Sequence, residues 1–76
     1  MSLGEAIRIS RQKALYTQDD FAQEINVALS TVNRWELNKA KPNMKAMKAI
    51  RAFCDEHNLD YGLIEKEWLD YYSKEG

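Results

Sequence analysis

Leu29, Ser30, Asn33 and Arg34 are spaced so that a helix would bring them together on one face. Their side chains suit the edges of base pairs. Asparagine can pair with two atoms of adenine, arginine with two of guanine, and leucine can pack on a thymine methyl. Arg34 could equally hold a phosphate, and a merely solvated face would carry the same residues. Lys39 and Lys41 follow in the polar loop Asn38-Lys39-Ala40-Lys41-Pro42. Lys45 falls in the first turn of a helix that Asn43 caps, where a cation opposes the helix dipole unless an anion approaches. Lys48 and Arg51 extend the basic stripe as a solvated face.

The elements that must position these groups lie between Gln18 and Leu37, QDDFAQEINVALSTVNRWEL. Phe21, Ala22 and Ile25 mark the apolar face of one short helix. Val27, Val32 and Trp35 mark that of a second. Asn26 between them enters the left-handed region readily, which permits a sharp turn. The small side chain of Ala22 lets the two helices cross closely. Trp35 could stack on a base, but its spacing from Val32 assigns it to the core.

Thr17-Gln18 opens the first of these helices, Arg34-Trp35-Glu36 closes the second, and Lys41-Pro42 follows. On these residues the chain resembles the Cro/phage-repressor (xenobiotic-response-element type) helix-turn-helix family, over roughly Leu3 to Phe53. The resemblance implies an all-α, five-helix, lambda-repressor-like bundle with the helix-turn-helix at helices 2 and 3. It implies binding to double-stranded operator DNA, usually as a homodimer. It places Leu29, Ser30, Asn33 and Arg34 at base-reading positions and Gln18 at a phosphate-gripping one, and Asn38, Lys39, Lys41 and Lys45 are expected to grip phosphate beside it. Glu36 would pair with Arg11 and tie the recognition helix to the first helix. Four residues depart from the family pattern. Ile9 is apolar on the normally exposed side of the first helix, either covered by the C-terminal helix or singly exposed. Ser10 stands where leucine is usual. Leu15 stands where the family often has a left-handed glycine, a conformation that costs a leucine about 1–2 kcal/mol. Ala28 replaces a capping serine, a loss of about 1 kcal/mol.

The remaining chain reads as three more helices. The first spans Leu3 to about Ala14, with Ser2 and Glu5 at capping-box spacing and Leu3, Ala6, Ile7 and Ser10 inward. Thr17 caps the second helix, with Asp19 and Asp20 in its first turn. The fourth runs from Asn43 to near His57, burying Met47, Ile50, Phe53 and Cys54. Asn58 would end it in a left-handed turn, with Leu59 folding back. Asp60 would cap a fifth helix reaching about Tyr72, with Tyr61, Ile64, Trp68, Leu69 and Tyr72 on its apolar side. This helix is expected to close the core with some residues and to offer others, Trp68 foremost, to a second copy or a partner.

Seventy-six residues predict one small domain, residues 1–76. The net charge of −1 conceals a division. Residues 1–54 carry nine basic and five acidic side chains, whereas residues 55–76 carry two and seven. The first part can face phosphate and the second would repel it. A single cysteine excludes an internal disulfide and any multi-cysteine zinc site. His57 stands at a helix end without ligand partners, and no metal or cofactor is expected. No signal-peptide pattern and no apolar run of ~20 residues is present, so a cytoplasmic protein is expected. Nucleophile–base pairs and phosphate-binding glycine loops are absent, which argues against an enzyme. The leading expectation is a repressor-like transcription regulator. A protein-interaction module, or an antitoxin docking a toxin through its aromatic C-terminal helix, is the alternative.

Overall fold

Left-handed residues set where four of the helices stop. Leu15, Asn26, Asn38 and Asn58 have φ of 62°, 60°, 59° and 56°. Each follows a helix end, and the next residue's N–H reaches back five positions. Tyr16 donates to Arg11 O at 3.2 Å, Val27 to Ala22 O at 2.9 Å, Lys39 to Arg34 O at 2.9 Å and Leu59 to Cys54 O at 2.8 Å. This closure satisfies carbonyls that a helix end leaves open. Asparagine tolerates the conformation, but Leu15 adopts it against steric preference with its side chain 92% exposed.

The computed structural model describes residues 1–71. Five helices lie within them: α1 (Leu3–Lys13), α2 (Gln18–Glu24), α3 (Leu29–Glu36), α4 (Met44–Glu56) and α5 (Tyr61–Asp70). No strand occurs among the described residues. The all-α, five-helix expectation therefore holds.

Side chains close the starts of three helices. Ser2 Oγ accepts the Glu5 N–H at 3.1 Å while the Glu5 carboxylate accepts the Ser2 N–H at 3.2 Å. Thr17 and Asp20 repeat this at 3.0 and 3.3 Å. Asn43 Oδ1 accepts the Ala46 N–H at 2.8 Å. Ala28 leaves α3 without a side-chain cap. Asp60 precedes α5 but, against expectation, makes no cap hydrogen bond. Its ψ is 90°, whereas the working caps have 165°, 167° and 176°.

The core joins Ala6 and Ile7 of α1, Phe21 and Ala22 of α2, Val32 and Trp35 of α3, Ile50 and Phe53 of α4, and Ile64 of α5. Phe21 meets Phe53 edge-on with ring centroids 4.9 Å apart, and Tyr16 meets Phe53 likewise at 5.1 Å. Such offset ring pairs stabilise by about 0.5–1.5 kcal/mol beyond their buried area. α2 packs on α3, α1 on α3, and α5 on both α1 and α4. At Gly4 the backbone of α1 lies close against the end of α3. A Cβ there would stand 2.6 Å from Glu36 O and 2.7 Å from Trp35 O.

α5 differs from its expected role. Ile64 is fully buried, but Trp68 is half-buried instead of exposed, and Leu69 keeps 65% of its surface. Trp68 Nε1 donates to Pro42 O at 2.7 Å, and the Tyr71 hydroxyl donates to Asn38 O at 3.2 Å. An indole N–H needs a partner when it leaves water, and the loop carbonyl supplies it. Tyr72 lies outside the described residues. Among the described residues, no helix is long and apolar enough to cross a membrane.

Candidate nucleic-acid interface

Glu36 and Arg11 hold α3 to the rest of the molecule. Arg11 Nε donates to Glu36 Oε2 at 2.7 Å and its Nη2 to Oε1 at 3.0 Å. A third donor, Nη1, reaches Tyr16 O at 2.8 Å. Both residues are buried, so the two-bonded geometry and the additional partner offset much of their desolvation. Glu36 Oε1 also accepts from Gln18 Nε2 at 3.0 Å. The first residue of α2 is thereby fastened to the last residue of α3.

The outward face of α3 carries Leu29, Ser30, Asn33 and Arg34, all exposed. Asn33 Nδ2 lies 3.5 Å from Gln18 Oε1, so Gln18 links Glu36 to a side chain of this face. Leu37, at the C-cap of α3, keeps 55% of its surface. The two ends of α3 differ in restraint. Its first turn lacks a capping side chain, while its last is gripped by the Arg11 pair and by the left-handed turn at Asn38.

The five expected phosphate-gripping residues divide. Lys39 and Lys45 are exposed. Gln18 is half-buried and already bonded to Glu36. Asn38 Oδ1 accepts the Gly4 N–H at 2.9 Å and its Nδ2 donates to Ser2 Oγ at 3.1 Å. Its side chain thus stitches the end of α3 to the start of α1. Lys41 Nζ stands over the Trp68 ring, 4.3 Å from the centroid, and 5.9 Å from that of Tyr71. Such a cation–ring contact is worth about 0.5–2 kcal/mol, which a phosphate would have to exceed.

Ala22 and Trp35 are buried at 1% and 3% exposure, both within the core. Gly4 had no expected role. A glycine inside a helical pattern is a signal of close packing, but the opposing carbonyls belong to α3, more than thirty positions away. His57 also departs from its expected isolation. Its Nε2 lies 3.6 Å from Glu24 Oε2, and Glu56 stands beside them.

The family model for the helix-turn-helix matches residues 7–57. No curated protein and no solved structure gives a significant match. The matched span runs from Ile7 in α1 to His57 at the end of α4, and so contains α2, α3 and the 38–42 loop.

Proposed function

This chain belongs to the Cro/C1-type helix-turn-helix family of DNA-binding transcription regulators, and we propose that it binds specific double-stranded DNA sites with α3 in the major groove, as a repressor-like regulator. The observation that carries this reading is the face of α3. Leu29, Ser30, Asn33 and Arg34 are exposed together on a short helix whose opposite side is anchored by Val32, Trp35 and the buried Arg11–Glu36 pair. A rigid helix with a chemically mixed outer face suits direct reading of base edges.

Phosphate contacts would flank that face and set its register. Lys39 and Lys45 serve first, since both are exposed. Gln18 stands at the N-terminus of α2, where backbone N–H groups favour an anion. Lys41 would join only by leaving the Trp68 ring, and Asn38 only by leaving Gly4 and Ser2. Two copies on a roughly palindromic site, with half-sites about one DNA turn apart, complete the proposal. Trp68 is no longer the natural interface residue, because its indole is engaged within its own chain. The same engagement weakens the alternative of a toxin or other protein docking on the α5 aromatics.

Selection from a random duplex pool, followed by binding isotherms at several salt concentrations, tests the proposal. Each phosphate neutralised should contribute about −0.9 to the slope of log K against log salt. Absence of duplex binding at low salt across the pool would refute it. Sedimentation that shows a monomer both free and on the selected site would remove the dimer.

A further inference from the structure

On the side of the molecule where α2 and α4 end, Glu24, Glu56 and His57 come together. One ligand atom from each lies within 4.8 Å of the others. Glu24 is the last residue of α2 and Glu56 the last of α4, with His57 the α4 C-cap. Carboxylates at these positions face the negative end of a helix dipole, where a cation is favoured. Neither helix has a basic residue in its last turn. Two helix ends and two carboxylates thus concentrate negative potential at one spot.

The imidazole supplies an independent observation. His57 Nε2 is shielded from solvent and has no hydrogen-bond partner. Its separation of 3.6 Å from Glu24 Oε2 is long for a hydrogen bond. It is close to the distance between two atoms that share a tetrahedral zinc, about 3.4 Å for bond lengths of 2.0–2.1 Å. A tilted contact with the Phe53 ring at 4.5 Å and an edge-on contact with Tyr16 at 5.2 Å hold the ring in place. Glu24 and Glu56 are exposed, so a change of rotamer suffices to close the remaining gap. The Tyr16 hydroxyl donates to Glu24 Oε1 at 2.5 Å.

We propose that Glu24, Glu56 and His57 form a binding site for a divalent first-row transition metal of the Zn2+ type, which clamps the end of α2 to the end of α4. One imidazole nitrogen and two carboxylate oxygens leave a fourth position for water. The nitrogen donor selects zinc, cobalt or nickel over magnesium and calcium. The clamp sits two residues before Asn26, the pivot of the turn into α3, and on none of the residues assigned to DNA. The site and its test are independent of the DNA-binding proposal.

The test titrates the full chain with Zn2+ and, separately, with Co2+, following heat and visible absorption. The expected result is one equivalent bound, d–d bands from Co2+, and a Tm that rises with Zn2+ concentration but not with Mg2+. Protons compete for the same ligands, so binding should weaken as the pH falls. Glu24→Gln keeps an amide oxygen that can accept the Tyr16 hydroxyl, and its fold is checked by circular dichroism. It and His57→Gln should each weaken Zn2+ binding at least about tenfold. No saturable binding to the folded wild type would overturn the proposal. Equal binding by wild type and folded Glu24→Gln would do the same, because the ion would then reside elsewhere.

Discussion

The indole of Trp68 donates to the carbonyl of Pro42 at 2.7 Å, while Lys41 stands over the same ring. One side chain of α5 therefore fixes the loop that leaves α3. Trp68→Phe keeps a ring and removes the hydrogen bond. It is expected to lower stability by about 1–2 kcal/mol and to speed amide exchange at Lys39, whose N–H closes the end of α3. Urea titration and hydrogen exchange measure both. Unchanged exchange at Lys39 would show that the loop does not depend on α5.

Gly4→Ala places a methyl within 2.7 Å of two backbone carbonyls that cannot swing aside as a side chain could. Overpacking of this kind costs about 1–3 kcal/mol, and separating α1 from α3 would also strain the Gly4–Asn38 hydrogen bond. Equilibrium unfolding should show the loss. In an exposed helix interior the same change is stabilising, so a gain in stability would mean that α1 can move away from α3 at no cost.

Two substitutions are expected to stabilise. Leu15→Asn keeps the left-handed turn with a residue that tolerates it, recovering up to about 1 kcal/mol. Ala28→Ser restores a cap for α3, also about 1 kcal/mol. Thermal melts of the single variants measure each gain, and the two sites share no contact that would couple them. A loss at position 15 would indicate that the exposed leucine is held there by something other than the turn.

Much of the fold is legible in the sequence because its signals are local. The S-x-x-E spacing at Ser2, the asparagines at 26 and 58, and the apolar steps along α4 each act within one helix turn, and each appears in the structure as expected. The Arg11–Glu36 contact was legible only through family resemblance. Relationships between distant segments were not legible. Nothing near Trp68 names Pro42 as its partner, and nothing near His57 names Glu24. Gly4 and Asn38 are informative only once α1 lies against the end of α3. Lys41 read as a phosphate ligand because a lysine in a polar loop gives no sign that an aromatic helix will return to cover it.

Tyr16 gives the chain an alkaline signature. The Glu24 hydrogen bond, burial and nearby acids hold its pKa up at about 12, against roughly 10 for an unfolded tyrosine. Between those values the folded state keeps a proton that the unfolded state loses. The resulting stabilisation is whole below pH 10 and disappears as the pH rises through 12. Tyr16→Phe should therefore lose stability less steeply than wild type across that window, as read by urea melts at successive pH values. Identical slopes would uncouple Tyr16 from alkaline unfolding.

The central claim is that α3 reads sequence, and Asn33→Ala tests it most directly. Asn33 is exposed, carries no charge, and its side-chain amide approaches Gln18 at 3.5 Å. Binding curves for the selected site and for a scrambled one, recorded for wild type and the folded variant, separate reading from gripping. The expected result is a loss of about 1–3 kcal/mol on the selected site, with binding to scrambled DNA nearly intact. Lys39→Ala should weaken both sites together and flatten the salt slope by about one unit. If Asn33→Ala, Ser30→Ala and Arg34→Ala all lose the two affinities in equal proportion, the face of α3 is not the reading element.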